Sequence, residues 1–409
     1  MSSSPAVAEP SLDRFLGAWL GRAAGCALGK PFELSPYTTG LPGRPGWAFI
    51  RDWYRANGSD EVDGYAPPPS AATRAAGLPD LRSPRSWRGS IEGLEPDDDL
   101  RYTVLGLELL EARGLDWDAW DVGALWHERL SLGQVWTAER VAYLNLGRER
   151  QRLAADPERG SARRRALVAR VARRGNPHRE WIGALIRVDA YAYAAAGDPE
   201  LAAELARRDA VLSHAGTGVH AAAYTASLVA LAFARPVGTA LVEEALRQVP
   251  GDGRLARAVR AGLEAGSAAK TQADLAGRLW ERFGRLGWVH ALNNASLVAA
   301  SLAYGGGDFG RTLCAAVAGG WDSDCNGATA GSVLGAALGA AALPASWIEP
   351  LGDRIETGLA GPVAHSIRDL AHRSRELHLR LRGTARAAGV GEAGGSRPAS
   401  GGAPSGKVG

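Results

Sequence analysis

Glycine recurs at every fourth position in two segments that lie far apart in the chain. The two series are Gly17, Gly21, Gly25, Gly29 and Gly327, Gly331, Gly335, Gly339. Four-residue spacing places each series along one face of a helix. Glycine costs about 1 kcal/mol relative to alanine at each interior helix position. Two helices that carry four glycines each therefore indicate closely packed backbones, and we expect the two helices to pack against one another.

Apolar residues recur at helical spacing along most of the chain, whereas alternating and β-branched runs are nearly absent. This pattern predicts an all-α fold. The predicted helices cover residues 11–29, 97–113, 138–155, 161–174, 180–196, 199–211, 217–234, 239–247, 253–264, 270–284, 288–304, 308–318, 325–342 and 362–382. Because 46% of the 409 residues are hydrophobic and 22% are charged, the composition is typical of a globular protein with a large core. We expect one compact multi-helix domain over residues 11–382.

Two segments depart from the helical pattern. Residues 35–92 are rich in Pro, Gly and Trp, and a loop of this length inside a compact domain is typically a lid or a binding loop. Its aromatic residues argue against disorder, because disordered segments are poor in them. Residues 383–409 are of low complexity and predict a disordered tail.

Charge and cysteine content exclude several classes of protein. The net charge of +3 does not indicate a nucleic-acid-binding protein. The three cysteines, Cys26, Cys314 and Cys325, form no disulfide pattern, so we expect a cytoplasmic protein. The uncharged stretch 325–347 is long enough to span a bilayer, but its Gly and Ala content favours a helix buried among other helices.

Carboxylates are concentrated at the ends of three predicted helices. They are Glu33 after the first glycine helix, Asp97, Asp98 and Asp99 after Pro96, and Asp322 and Asp324 before the second glycine helix. An aspartate at a helix N-terminus caps free N–H groups, and capping accounts for one residue in each cluster. Several like charges exceed what a cap requires. If the glycine faces bring the helices together, the carboxylates converge on a shared cation site.

The residue types at this site indicate which ions it would bind. Oxygen ligands without a Cys and His cluster favour Mg²⁺, Mn²⁺ or Ca²⁺ over Zn²⁺. Four or five carboxylates exceed the charge of one divalent ion, which favours two ions that share ligands, as in two-metal hydrolysis.

Three ordered motifs resemble the ADP-ribosylglycohydrolase family, which includes the ADP-ribosylarginine and ADP-ribosylserine hydrolases and the dinitrogenase reductase-activating glycohydrolase. The stretch GRAAGCALGKPFE is similar to the family's Gly-rich helix that ends in a glutamate. DDDLRYT is similar to its Thr-Asp-Asp stretch, and WDSDCNGATAGSVLGA to its Asp-x-Asp-Thr stretch. Ser213-His214 resembles a Ser-His pair that begins a helix in the family. The resemblance covers about residues 11–345.

The chain departs from the family pattern at three positions. Asp97 stands where the family has threonine, which adds a negative charge to the site. Cys325 also stands at a threonine position and replaces a hard oxygen with a soft sulfur. Cys26 stands where the family has aspartate.

The resemblance implies an all-α fold, two Mg²⁺ or Mn²⁺ ions and hydrolysis of an ADP-ribosyl or related N- or O-ribosyl bond. The implied metal ligands are Asp97, Asp98, Asp99, Asp322, Asp324 and Cys325. The implied catalytic carboxylates are Glu33, Asp99 and Asp324, and which of them acts as the base stays open. The predicted substrate-binding residues are Tyr102, His214, Gly216, Gly218, His290, Asn293, Asn294 and Trp321.

Each of these assignments has a structural alternative. Asn293 and Asn294 are equally consistent with internal hydrogen bonds, because buried amides need partners. Trp321 is also consistent with a core position. The expected partner is an ADP-ribosylated protein or a small ribosyl or nucleotide substrate, and neither nucleic acid nor membrane.

Three other functions compete with this one. The first is a relative that binds ADP-ribose or a nucleotide without turnover, which the changes at Asp97 and Cys325 suggest. The second is a nucleoside-type ribosyl hydrolase of a biosynthetic pathway. The third is a prenyl synthase, but DDDLRYT lacks the later aspartate of the D-D-x-x-D motif and the chain has no second motif of that class.

Overall fold

The computed structural model of the chain describes residues 9–156 and 158–392. These residues are mainly helical, and the predicted all-α class is confirmed. The helices are α1 (Leu12–Gly29), α2 (Gly46–Ala56), α3 (Ala71–Ala75), α4 (Asp98–Arg113), α5 (Ala119–Arg129), α6 (Thr137–Ala154), α7 (Ala162–Arg173), α8 (Asp189–Ala194), α9 (Pro199–Ala210), α10 (Thr217–Ala232), α11 (Thr239–Ala245), α12 (Arg254–Ala268), α13 (Gln272–Phe283), α14 (Ala291–Gly305), α15 (Phe309–Ala318), α16 (Ser323–Leu338), α17 (Ala345–Ile348) and α18 (Ile367–Glu392).

One small sheet interrupts the helical order near the C-terminus. Strands β1 (Arg354–Glu356) and β2 (Ala364–Ser366) pair antiparallel, with Ile355 opposite His365. Within the two described ranges, no helix combines the length and the hydropathy that crossing a bilayer would require.

The two glycine-spaced helices, α1 and α16, pack antiparallel along their glycine faces, as the spacing predicts. The facing pairs are Gly17–Gly335, Gly21–Gly331 and Gly25–Gly327. At each pair an added Cβ would overlap the carbonyl oxygen of the other helix, so only glycine permits this approach. Beyond these three glycine pairs, Gly29 at the end of α1 packs against Ser323 and Asp324 at the start of α16. The end of one helix and the start of the other therefore meet in the buried interior.

The segment 35–92 contains a substantial helix, which the sequence analysis treated as loop. Helix α2 buries Ile50, Trp53 and Tyr54 in the core. The Trp53 indole donates to the Pro67 carbonyl at 3.0 Å, and the Tyr54 hydroxyl donates to the Gly64 carbonyl at 2.7 Å. The flanking Pro and Gly residues hide the helical pattern, but burial of one aromatic face stabilises the helix. A lid role for this segment stays a prediction.

The helix predicted over residues 180–196 is broken in the structure. A 3₁₀ turn covers Ile182–Ala184, and α8 begins only at Asp189. The break contains Arg187, which is buried in ion pairs with Glu139 and Asp209. Tertiary ion pairing outweighs the local helical preference here, because a buried charge needs its partners.

The last helix extends further than the sequence predicts. Helix α18 continues through Gly383 to Glu392, so the first ten residues of the predicted tail are helical. The remaining residues of that prediction, 393–409, lie outside the described residues.

Candidate metal centre

Carboxylates from three helix ends converge on one cleft, which has a volume of about 540 Å³. Glu33 comes from the turn after α1, Asp97 and Asp98 from the start of α4, and Asp322 from the start of α16. The seam between α1 and α16 places the first and last of these together, because it sets the end of α1 beside the start of α16. The cleft is also lined by Lys30, Arg82, Arg101, Tyr102, Trp136, Glu139, Trp288 and Cys325.

Three carboxylate oxygens beside this cleft are buried without a hydrogen-bond partner among the described residues. They are Oδ2 of Asp99, Oδ1 of Asp322 and Oδ2 of Asp324. A buried carboxylate oxygen without a partner is costly unless a cation or a donor satisfies it. Carboxylate oxygens are also the ligands that Mg²⁺ and Mn²⁺ prefer. The donor set therefore fits a hard divalent cation.

Candidate ligand atoms fall into two groups, and within each group they lie within 4.8 Å of one another. The first group consists of Cys26, Asp97, Asp99 and Asp324, and the second of Asp322, Asp324 and Cys325. Asp324 is shared by both groups and so lies between them. Asp98 belongs to neither group, although it was predicted as a ligand. Its half-buried carboxyl instead lines the cleft.

Burial and mutual repulsion raise the pKa values of these carboxyls. The pKa of Asp324 rises to about 6, first because of burial and then because of the Asp97 charge. The pKa of Asp98 rises to about 7 from burial and the neighbouring Asp97 and Asp324. Burial and the Asp324 and Asp322 charges hold the pKa of Glu33 well above its ordinary range. Clustered perturbed carboxyls of this kind are typical of functional sites.

Asp97 differs from the other carboxylates because both of its oxygens have partners. Oδ1 accepts the backbone N–H of Asp99 at 2.9 Å, as a helix cap does. Oδ2 forms a salt bridge with the Lys30 ammonium. Although burial raises the pKa of Asp97, the Lys30 charge lowers it to about 2. Asp97 belongs to the first ligand group, so its role as a metal ligand stays a prediction, and an ion there would have to share this carboxylate with Lys30 or displace the ammonium.

The sequence analysis did not select Cys26 or Arg22 as site residues. Both lie on α1, and both are fully buried. The Cys26 thiol belongs to the first ligand group. The Arg22 guanidinium pairs with Asp99 at 3.2 Å and with Asp189 at 2.9 Å. The available signal was an arginine and a cysteine inside an otherwise apolar, glycine-spaced helix.

Two predicted substrate residues instead support the backbone of the site. The Asn294 side-chain oxygen accepts from the Asp322 N–H at 3.3 Å and from the Asn326 amide at 2.7 Å. Asn294 therefore positions the start of α16, and its contact with substrate stays a prediction. Trp321 is buried in a hydrophobic cluster and stacks on Trp280 with ring centroids 5.5 Å apart. Its φ of 57° is rare for a bulky residue, and it turns the chain immediately before Asp322.

The remaining predicted substrate residues, Tyr102 excepted, do not line this cleft. His214 and Gly216 line a separate cavity of about 710 Å³. Gly218 packs against the Arg179 carbonyl, since an added Cβ would lie 2.7 Å from that oxygen. His290 caps α14 by accepting the Leu292 N–H at 3.1 Å. The buried Asn293 amide donates to the Gly287 carbonyl at 3.4 Å. Helix starts, close packing and internal hydrogen bonds involve these residues, but among the described residues the buried His214 Nε2 and Asn293 Oδ1 have no hydrogen-bond partner. Contact with substrate stays a prediction.

Three aromatic residues line the cleft, Tyr102, Trp136 and the half-buried Trp288. The buried Tyr102 hydroxyl has no hydrogen-bond partner among the described residues. The Trp136 side chain is 58% exposed, and the sequence analysis did not select it. An indole is seldom left so exposed, so Trp136 offers a flat surface for a ring.

Comparison with known proteins agrees with this geometry. The family model for ADP-ribosylglycohydrolase matches residues 8–382. No curated protein matches the chain significantly. A solved structure described as an "ADP-ribosylglycohydrolase-related protein complex" is similar, with a TM-score of 0.50 and 24% sequence identity. The match covers 90% of this chain and 98% of that one, and it shows a shared fold. Since the family model spans nearly the whole chain, this protein belongs to the ADP-ribosylglycohydrolase family.

Proposed function

We propose that this protein is a divalent-cation-dependent glycohydrolase that cleaves an ADP-ribosyl or related N- or O-ribosyl bond. One observation carries the proposal. In a chain of a glycohydrolase family, buried oxygens of Asp99, Asp322 and Asp324 lack partners within the part of the chain that the structure describes, and they lie beside a cleft of about 540 Å³. That volume lies within the usual range for small-molecule sites. The substrates of the family are ADP-ribosylated, which supports the same class of substrate here.

The unpartnered carboxylates are the residues that would hold the cation. Asp322 and Asp324 lie next to one another in the second ligand group, and Asp324 extends into the first. A bound Mg²⁺ or Mn²⁺ supplies positive charge for ribose hydroxyls and lowers the pKa of a bound water. The excess of carboxylates in the sequence predicts two ions. Whether both bind depends on Lys30, because its ammonium pairs with the Asp97 carboxylate in the first ligand group.

Glu33 is suited to act as the acid. Its half-buried carboxyl lines the cleft, and burial together with the Asp324 and Asp322 charges raises its pKa. A raised pKa favours the protonated form of Glu33, which is able to donate its proton to a leaving group. Asp98 lines the same cleft and is suited to accept a proton from water. A pair of carboxyls, one as acid and one as base, is the usual requirement of glycoside hydrolysis.

The rim of the cleft supports a nucleotide-like substrate. Trp136 offers an exposed indole on which a base can stack. The exposed Arg82, contributed by the segment 35–92, adds a positive charge suited to a diphosphate. The Tyr102 hydroxyl offers a hydrogen bond inside the cleft.

The test combines binding with turnover. Mn²⁺ and ADP-ribose are titrated calorimetrically into wild type, Asp324→Asn and Glu33→Gln, and release of ADP-ribose or ribose is followed by chromatography. The substrates are ADP-ribosylated arginine and serine peptides and a set of nucleosides. We expect Asp324→Asn to lose Mn²⁺ binding, whereas Glu33→Gln keeps it and loses turnover. Binding of both ligands without turnover of any substrate would instead favour the relative that only binds ADP-ribose.

A further inference from the structure

We propose that the Lys30 ammonium takes the place of one divalent cation, so that the centre binds one ion per chain rather than two. The inference concerns the metal site of the proposed function and rests on that function. Lys30 lies in the turn between α1 and Glu33, directly at the convergence of the helix ends.

The Lys30 ammonium lies against Asp97 and the backbone of Pro96. Lys30 Nζ pairs with Asp97 Oδ2 and donates to the Pro96 carbonyl at 3.1 Å. Its side chain is only 12% exposed, so its charge acts in a poorly solvated place. The other Asp97 oxygen already accepts the Asp99 N–H. A metal ion at Asp97 would have to displace this ammonium.

The two ligand groups differ in how many of their carboxylates already pair with a positive side chain. In the first group, Asp97 pairs with Lys30, and Asp99 pairs with Arg22, which it shares with Asp189. The first group therefore already contains two protein cations. In the second group, neither Asp322 nor Asp324 has an ion-pair partner among the described residues. Two unpaired carboxylates match the charge of one divalent ion, and we place the ion there.

The two groups also differ in the carboxylates that remain for a metal ion. Each group contains one cysteine, and sulfur is a poor ligand for Mg²⁺. Besides the shared Asp324, the second group offers the unpaired Asp322, whereas the carboxylates of the first group are held by Arg22 and Lys30. A second hard ion in the first group would therefore need the place that the Lys30 ammonium occupies.

Lysine is a rare residue in this chain, which makes its presence at the site informative. The chain contains 47 lysines and arginines, and only three of them are lysines: Lys30, Lys270 and Lys407. An ammonium is a compact point charge, whereas a guanidinium is a planar fork. A compact charge replaces a metal ion among carboxylates more closely. In a chain that otherwise uses arginine, lysine at this position fits that role.

The experiment counts ions with Mn²⁺ as the probe. Purified full-length protein is dialysed against Mn²⁺, the bound metal is measured by elemental analysis, and its electron paramagnetic resonance spectrum is recorded. We expect one Mn²⁺ per wild-type chain, with the hyperfine pattern of an isolated ion. We expect Lys30→Met to bind a second ion about 3.5–4 Å from the first, which gives a coupled spectrum.

Two further variants keep the result interpretable. Lys30→Met leaves the Asp97 carboxylate buried without its partner, so the double variant Lys30→Met/Asp97→Thr removes both charges and guards against misfolding. It too should bind two ions, because the threonine hydroxyl leaves an oxygen ligand at this position and no ammonium occupies the place of the second ion. Lys270→Met removes an exposed lysine and should still bind one.

The outcomes separate this proposal from the proposed function. Two coupled ions in wild type would overturn the role of Lys30 and leave the metal-dependent function intact. A folded double variant that still binds one ion would also overturn it. No Mn²⁺ on any variant would overturn both the single-ion site and the metal-dependent hydrolysis.

Discussion

The carbonyl oxygen of Gly327 lies directly against the α-carbon of Gly25, in the seam where α1 meets α16. A side chain at either position would overlap the backbone of the other helix. This contact is the last glycine pair before the carboxylate cleft, so it sets the distance between the turn after α1 and the start of α16.

Substitution Gly25→Ala should therefore destabilise the protein and weaken metal binding together. We expect a loss of about 3 kcal/mol in the free energy of unfolding, the upper part of the range for overpacked cores, because the clash is with backbone. Chemical denaturation measures the stability, and calorimetric titration measures Mn²⁺ affinity.

A matched glycine in another helix provides the control. Gly147 lies inside α6, is exposed, and has open space for a Cβ. Gly147→Ala should be neutral or stabilise by up to about 1 kcal/mol from helix propensity. Equal effects of the two substitutions would contradict a specific role for the seam.

Arg22→Met should destabilise the protein more than a surface arginine substitution does. Removing the buried guanidinium leaves Asp99 and Asp189 without their ion-pair partner, and breaking a buried ion pair costs about 3–5 kcal/mol. Arg278→Met, which removes an exposed pair with Asp274, should cost less than about 1 kcal/mol. Urea unfolding of both variants checks the difference, and a small loss for Arg22→Met would contradict the buried charge network.

The raised pKa values of two carboxyls should contribute stability to the metal-free protein that is lost as the pH rises from about 4 to about 7. Folding raises the pKa of Asp98 to about 7 and that of Asp324 to about 6, from an ordinary value of 3.8. In this window these two carboxyls bind more protons in the folded chain than in the unfolded chain. Burial lowers the pKa of buried histidines such as His214, which acts in the opposite direction, so the carboxyl contribution has to be isolated by mutation.

Thermal melts in EDTA should therefore compare wild type with Asp98→Asn/Asp324→Asn, whose side chains at these positions do not titrate. We expect the Tm of wild type minus that of the variant to be larger at pH 5 than at pH 8. Saturating Mn²⁺ should raise the wild-type Tm more at pH 8 than at pH 5, because the ion binds the ionised carboxylates and stabilises the folded chain. A Tm difference in EDTA that does not fall between these pH values would contradict the raised pKa values.

Trp136→Ala should raise KM by roughly 10-fold and leave kcat nearly unchanged, if a base stacks on the exposed indole. Trp136→Phe should keep most of the affinity, because it retains an aromatic face. Steady-state kinetics on the substrate found by the turnover screen make the measurement. A fall in kcat at constant KM would place Trp136 in a different role.

Features that depend on residues close together in the chain were predictable. The glycine spacing predicts the faces of α1 and α16, and the helical periodicity predicts the all-α class. The clusters at Asp97–Asp99 and Asp322–Asp324 stand at helix starts, and their excess charge marks them as more than caps. The helix faces and the all-α class were predictable because helical periodicity is a local property, whereas the role of the acidic clusters as a site stays a prediction.

Other features could not be predicted because they depend on contacts between distant segments. The sequence left Asn294 and Trp321 open between substrate contact and a structural role, and tertiary packing shows that they hold the start of α16. Trp136, which is exposed at the cleft, carries no local signal at all. Whether an indole is buried or exposed is decided by what packs on it from elsewhere in the chain.

The sequence by itself determined which helix faces are able to approach closely and where negative charge accumulates. Only the tertiary structure decided how that charge is balanced. Lys30 and Asp97 lie 67 residues apart in the chain, and Arg22 and Asp99 lie 77 apart. Ion pairing depends on distance in space and on burial, and neither quantity is set until the helices have packed.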